Sequence, residues 1–485
     1  MLTLADAFEA LLNVRPSWSE QVTIAEVVVD SRQVSAGALF VALQGETHDG
    51  HEYVGDALAR GAAAVLAEER VKSSGLGPSV RVVETSTGVA GLQPGPETLV
   101  PTLFIVPSTL HALHELAAYW RRRFPNCKAI GVTGSIGKSS TKELIASVLE
   151  RQYVTLKSRG NLNNEIGLPL TLLKMNETHQ RAVLEMGMYA IGEIRELCRL
   201  AQPSIGVVTN VGPSHLERLG TVERIAQAKG ELVRALPADG VAVLNGDDAL
   251  VRGMREWTPA RVVLYGLEPS NEIWADEIES FGLEGIAFDL HYAGEKLHVR
   301  LPLLGRHSVH TALAAAGVGL ADDLSWDQIL SGLRDVAAQL RLIAVPAENG
   351  TTILDDTYNS SPESSLAALN LLAELDGRKI AVLGDMLELG AFEEGGHRIV
   401  GGRAAQVVEV LVAVGAKGKW IGEAALEDGL AQTFFAENNS RAVEILREVM
   451  RKGDMILVKG SRGAKMEEIV SALARTGENG ETEHL

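Results

Sequence analysis

The chain has 485 residues, 46% of them hydrophobic and 22% charged, which is enough for roughly three domains and too apolar for a disordered chain. Its formal net charge of −18 argues against DNA or RNA as a partner, because that affinity is built on clustered Lys and Arg. A nucleotide is still admissible, since backbone N–H groups and one lysine at a helix N-terminus set the local field.

The opening MLTLADAFEALLNVRPSW reads as an amphipathic helix and lacks the basic start and cleavage site of a secretory signal. No apolar run is long enough to cross a bilayer. Only Cys127 and Cys198 are present, so no disulfide framework is expected, and a cytoplasmic chain with two inert thiols is the reading.

Residues 1–106 hold short β-type runs, TIAEVVVDSR, GALFVAL and AAAVLAEERV, between helical ones. They lead into TSTGVAGLQPGPETLVPT, whose Gly, Pro and Thr content predicts a loop. Helical periodicity from Ser108 to Phe124 stops at Pro125, and the apolar KAIGVTG opens residues 107–334. There the strands AVLEMGM, IGVVTNVG, GVAVLNGDD and RVVLYG alternate with helices, which predicts a parallel sheet. The alternating stretch 271–304 reads as an antiparallel addition before a helix over Val309 to Leu320. Residues 335–485 repeat the alternation with TTILDD, KIAVLGD, VLVAVG and MILVKGS, a second open sheet of Rossmann-like pattern. The polar ARTGENGETEHL at the end is expected to fray. The fold class is therefore α/β in three domains: a small N-terminal one, a central parallel sheet and a Rossmann-like third.

The strongest local signal is GVTGSIGKSSTKE, a strand, a Gly-rich turn and a helix. Gly134 and Gly137 turn backbone N–H groups of Ser135 and Ile136 toward phosphates, Lys138 adds a point charge, and Ser139, followed by Ser140, offers a hydroxyl to Mg²⁺. The usual first glycine is replaced by Val132, so the motif is the shorter G-x-x-G-K-S. Glu185 and His215 follow apolar strands, and ligands of open α/β sheets gather at strand ends. Lys229 lies in the helical RIAQAKGEL. Taken singly, such a Glu is usually solvated, such a His packs or caps, and such a Lys is a surface residue.

Together these segments resemble a family. TGSIGKSSTKE, NLNNEIGLPLTLL, EMGM, NVGPSHLERLGTVERIAQAKGEL, GRHSVHTALAA, DDTYNSSPESS, GDMLELG and VKGSRGAKMEEIV are similar in order and spacing to the Mur ligases, over nearly the whole chain. The N-terminal DSRQVSAGALFVALQGETHDGHEYV resembles their UDP-binding domain. The C-terminal segments resemble the dipeptide-adding branch, because Tyr358-Asn359-Ser360-Ser361-Pro362 stands where the tripeptide synthetase carries a Tyr-Ala-His-Thr-Pro type segment.

The resemblance implies an ATP- and Mg²⁺-dependent ligase. Its reaction would add D-alanyl-D-alanine to UDP-N-acetylmuramoyl-tripeptide through an acyl phosphate, in peptidoglycan precursor synthesis, with the enzyme acting as a monomer. It implies Ser139 and Glu185 on one Mg²⁺; Glu185, His215 and a carbamylated Lys229 on a second; Lys138 on the phosphates; and Asn163 or Asn164 at the reacting end. Arg341 would reach the γ-phosphate, Asp356 the ribose, and Tyr358 and Asn359 the nucleotide or acceptor. Ser31, Arg32, Thr47 and Asp49 would face the uridine. The pattern near adenine departs from the family's G-R-H-N-x-x-N-A-L: His307 is kept, but Ser308 and Thr311 replace both asparagines, and a hydroxyl has less reach than an amide. Two other readings remain, a different ligase of the same superfamily and a non-catalytic nucleotide-binding partner protein.

Overall fold

A computed structural model of the chain describes residues 1–45, 48–69, 71, 80–86, 100–213, 216–335 and 343–475. They fall into two compact units, one of Met1–Gly131, Tyr153–Gly187 and Glu193–Ser204, the other of Val132–Gln152, Met188–Gly192 and Ile205–Leu485. Most of the expected loop at 85–102 and of the polar tail lies outside the described residues. No helix among the described residues is long and apolar enough to cross a membrane.

In the first unit the strands are β1 (Val27–Val28), β2 (Leu39–Val41), β3 (Ala64–Ala67), β4 (Arg81–Glu84) and β5 (Thr102–Ile105). They form a parallel sheet in the order β1-β2-β3-β5-β4. Every residue of β2, β3 and β5 is buried, as for strands covered on both faces. The helix Leu4–Leu12 begins in a capping box between Thr3 and Asp6 and lays Phe8 edge-on to Phe104 and Trp18. The helix Thr109–Arg122 is capped by Ser108, as its sequence pattern predicts. The same unit holds β6 (Lys128–Thr133) up to Gly131, and β7 (Thr155–Lys157) paired parallel with β8 (Arg181–Glu185). Cys127 and Cys198 are both buried free thiols.

The second unit carries two sheets. One runs β14-β13-β12-β11-β10-β9, with β9 (Pro203–Val208), β10 (Val241–Asn245), β11 (Arg261–Gly266) and β12 (Ile273–Ser280) parallel. β13 (Ile286–Tyr292) and β14 (Glu295–Leu301) complete an antiparallel meander with β12, matching the alternation read at 271–304. The helix Ser308–Ala321 follows it.

The other sheet has the order β15-β16-β20-β17-β18-β19. β16 (Thr352–Asp356), β17 (Lys379–Leu383), β18 (Val410–Val414) and β20 (Met455–Lys459) are the four strands legible in the sequence. β15 (Ile343–Pro346), antiparallel to β16, and the four-residue β19 (Thr433–Ala436) are edge strands too short to announce themselves. Successive side chains of the central strands enter opposite cores, as the pleat requires. Ile353, Ile380, Val382, Val412 and Val458 pack against one helix layer with Leu446 and Ile469. Leu354, Ala381, Leu383, Leu411 and Leu457 pack against the other with Leu372 and Ile421. Helices on both faces of a mostly parallel sheet make this the expected Rossmann-like arrangement.

Candidate active site

The phosphate loop follows β6. Gly134 has φ +153°, and a Cβ there would stand 1.8 Å from Thr209 Oγ1, so only glycine lets the loop approach the end of β9 this closely. Ser135 N donates to Asn210 O at 3.0 Å, and Ile136 N to Asn210 Oδ1 at 2.8 Å. Thr209 Oγ1 and Asn210 Nδ2 both donate to Ile136 O, at 2.6 and 3.0 Å. Ser135 Oγ donates to Gly212 O and accepts from Gly212 N. Gly137, at φ +80°, then opens the helix Lys138–Leu149, whose first turn buries Ser139. Lys138 Nζ donates to Gly134 O and Ser135 O at 2.8 and 3.0 Å, placing its charge over the loop. Thr209 and Asn210 are missed by motif reading. Their signal is two short polar residues directly after a buried strand, T-N in GVVTNVG.

Lys229 is a surface lysine by type, but in the helix Val222–Arg234 it is 2% exposed. It shares the helix face of Ile225, Ala226, Leu232 and Val233, so helical periodicity alone predicts its burial. Burial, and secondarily the charge on Lys138, push its ammonium well below the ordinary lysine pKa.

In the first unit Glu185 ends β8 at 1% exposure, accepting from Asn163 Nδ2 at 2.9 Å, while its own N–H donates to Ser158 Oγ. Asn163 O also accepts from Gly187 N at 2.7 Å. The adjacent Asn164 is turned to its own chain, where its Oδ1 accepts from Ile166 N and Gly167 N at the head of the helix Gly167–Leu172. Of the two asparagines, it is Asn163 that meets the buried carboxylate. Ser31 is buried, Arg32 is exposed and folded onto Asp30, and Asp49 accepts from His51 N and pairs with its Nδ1 at 2.6 Å.

At the ends of neighbouring strands β16 and β20, Asp356 meets Lys459, a fully buried lysine absent from the sequence reading, at 2.6 Å. Lys459 Nζ also donates to Asn359 O at 2.8 Å, fixing the turn that carries Tyr358, and the Arg462 guanidinium lies over the Tyr358 ring. Gly305, Arg306, His307, Asn370, Glu374 and Arg403 line a cleft of about 410 Å³. Ser308 Oγ donates back to Leu304 O at 2.6 Å, so the hydroxyl that replaces an amide is satisfied by its own turn. Thr47, His215 and Arg341 lie outside the described residues.

A parallel-sheet phosphate loop clamped by the next strand, a buried carboxylate and a buried low-pKa lysine are the equipment of nucleotide-driven chemistry. The family described as "Mur ligase family, catalytic domain" matches residues 23–121, "Mur ligase middle domain" 132–319, and "Mur ligase, glutamate ligase domain" 340–462. The UDP-N-acetylmuramoyl-tripeptide--D-alanyl-D-alanine ligase of Bacillus subtilis is 36% identical over 94% of both chains. The chain belongs to the Mur ligase family. The ligase of the same name from Escherichia coli is 33% identical over 94% of this chain and 95% of its own. Among solved structures, MurF from Acinetobacter baumannii superposes with a TM-score of 0.82 at 29% identity, covering 97% of this chain and 99% of its own. MurF ligase from Thermotoga maritima in complex with ADP gives 0.76 at 26% identity, covering 93% and 97%. The chain thus has the three-domain α/β fold of these Mur ligases, and the phosphate loop lies within the matched middle domain.

Proposed function

We propose that the chain is an ATP-dependent ligase that adds D-alanyl-D-alanine to UDP-N-acetylmuramoyl-tripeptide through an acyl phosphate, making a peptidoglycan precursor in the cytoplasm. The observation that carries this is near-full-length similarity to ligases named for that reaction, at up to 36% identity, together with the phosphate loop. In this reading residues 1–106 bind the UDP substrate, 107–334 bind ATP, and 335–485 complete the ligase.

A carboxylate is a poor electrophile until one oxygen becomes part of a leaving group. The peptide carboxylate oxygen bonds the γ-phosphorus as the bond to the β-phosphate oxygen breaks and ADP leaves. The amine of D-alanyl-D-alanine then adds its lone pair to the acyl carbon, loses a proton, and phosphate departs with the C–O bonding pair. Lys138 and the backbone at the head of the helix Lys138–Leu149 hold the transferring phosphates, since the Ser135 and Ile136 N–H groups expected to do so are taken up by Asn210, and Arg341 and Asp356 take the γ-phosphate and ribose. Ser31, Arg32, Thr47 and Asp49 hold the uridine end.

Mg²⁺ is a hard cation that takes oxygen donors, and the Ser139 hydroxyl and the Glu185 carboxylate, each on a buried residue, are donors of that kind. Bound there, it offsets charge gathering on the phosphoryl oxygens. Lys229 would enter as its carbamate: the neutral amine bonds the carbon of CO₂, a proton leaves, and the side chain acquires a carboxylate that, with Glu185 and His215, would serve a second Mg²⁺. The depressed pKa of Lys229 supports this, since only the unprotonated amine reacts.

Phosphate release measured with purified substrates tests the reading. Release should require both UDP-N-acetylmuramoyl-tripeptide and D-alanyl-D-alanine, because a site that pairs a second peptide group leaves those partners unsatisfied when a single amino acid binds. Faster release with UDP-N-acetylmuramoyl-dipeptide and a diamino acid would replace this assignment with that of the tripeptide synthetase. No release with any pair would favour a non-catalytic nucleotide-binding protein.

A further inference from the structure

The five residues Met188–Gly192 belong to the second unit, although the chain on either side of them belongs to the first. They are tied there by Gly192, whose N–H donates to Glu231 Oε1 at 2.7 Å and whose φ of +102° favours glycine. Glu231 is buried in the helix Val222–Arg234, two residues past Lys229. The loop so anchored presents Tyr189 at 40% exposure, and the guanidinium carbon of Arg218 lies over its ring, 4.7 Å from the centre. Arg218 belongs to the short helix Leu216–Leu219 and is itself exposed.

An exposed arginine is ordinarily solvated or one end of an ion pair. In this acidic chain Arg15, Arg60, Arg199, Arg300 and Arg447 each meet a carboxylate. Arg218 meets none among the described residues. Its partner is an aromatic face, which fixes the planar guanidinium without using the in-plane N–H fork that matches a carboxylate. The surroundings give that fork something to meet. Gly212, six residues earlier in the chain, clasps the Ser135 hydroxyl of the phosphate loop. Lys229 stands about 10 Å of helix rise beyond Val222, where the helix that follows Arg218 begins. Tyr189 is three residues from Gly192, and so within about 10 Å of chain from the Glu231 contact. An extended dipeptide spans about 7 Å. The pair therefore lies on the order of one dipeptide from the helical turn that carries Lys229.

We propose that Arg218, held over the Tyr189 ring, is a substrate-binding residue that takes a non-reacting carboxylate of the peptide substrates. Two substrates offer one: the dipeptide acceptor at its C-terminus, and the nucleotide-linked peptide. The proposal rests on the ligase reading above, and the experiment separates the two. With the full-length protein, KM for D-alanyl-D-alanine, for UDP-N-acetylmuramoyl-tripeptide and for ATP is measured in wild type, Arg218→Ala, Arg218→Lys and Tyr189→Leu. In Arg218→Ala one of the two peptide-substrate KM values should rise at least about tenfold, the order of a lost charge-assisted hydrogen bond, with KM for ATP unchanged and kcat within about twofold. Arg218→Lys, which keeps the charge without the fork, and Tyr189→Leu, which removes the platform, should each show a smaller rise in the same KM. A rise for D-alanyl-D-alanine, matched by wild type acting on D-alanyl-D-alaninamide, assigns the dipeptide carboxylate. A rise for UDP-N-acetylmuramoyl-tripeptide assigns the nucleotide-linked peptide. Unchanged peptide KM values in Arg218→Ala, or an equal rise in KM for ATP, overturn the proposal while the ligase assignment stands. A wild type that releases no phosphate with these substrates overturns both.

Discussion

A buried lysine lowers the stability of a fold when no carboxylate pairs with it, and Lys229, with no such partner among the described residues, is kept at 2% exposure beside the charge of Lys138. The cost has a definite sign with pH. Burial, then Lys138, depress the folded-state pKa, so below the ordinary value of 10.5 the unfolded chain binds a proton that the folded chain refuses. Wild-type stability therefore rises as pH climbs toward 10.5, and Lys229→Met removes that slope. In CO₂-free buffer the Met variant should melt higher than wild type at pH 7, with the gap closing toward pH 10.5. Its ligase activity should nonetheless drop on the order of 10²-fold. Scanning calorimetry across that range gives the answer, and a gap independent of pH would mean the amine is charged in the folded protein. Acetate restoring part of the activity of Lys229→Ala would tie the loss to a missing carboxylate.

Among the elements, the string GDMLELG shows how a motif can be legible while its work is not. Asp385 accepts from Lys417 N at 2.9 Å and Gly418 N at 2.7 Å, satisfying the head of the helix Gly415–Glu427 from thirty-odd residues away. Buried His397 accepts from Met386 N at 2.9 Å and donates to Glu393 O, holding the same turn. Asp385→Ala should cost about 1 kcal/mol, as for the loss of other side-chain caps. Urea unfolding measures it, and a loss within error of zero would show that water replaces the carboxylate. The strands themselves were legible because two buried faces demand unbroken apolar runs, as in VLVAV and MILVK. β15 and β19 were not, because four residues at a sheet edge bury too little to impose a pattern.

On the scale of the molecule, the second unit joins its two sheets through close backbone approaches. A Cβ on Gly390, which has φ +55°, would stand 2.8 Å from Glu217 Cα, and the Glu363 carboxylate lies 3.4 Å from the corresponding point on Gly212, beside the phosphate loop. An acyl phosphate survives only where water is kept from it. Gly390→Val should push these parts of the unit apart and cost on the order of 10²-fold in product formation, the scale of ångström-sized misplacements in an active site. Phosphate release without D-alanyl-D-alanine should rise at the same time. Parallel assays of phosphate and peptide product check this, and a variant in which both remain coupled at the wild-type rate would show that the contact has no part in excluding water.

The sequence by itself determined the class of chemistry and the α/β class of the fold. A strand, G-x-x-G-K-S and a helix make a phosphate loop wherever they occur, because the glycine conformations, the helix N-terminus and the lysine are all local. Glu185 and Lys229 were singled out by resemblance, and helical periodicity also accounts for the burial of Lys229. The tertiary structure alone decided which distant groups meet. Asp356 pairs with Lys459 across 103 residues, His310 with Asp247 across 63, and Thr209 and Asn210 clamp Ile136 across more than seventy. Those pairings depend on which strands lie side by side. β20 enters between β16 and β17, an order that packing of the whole sheet selects and that no local period in the chain encodes.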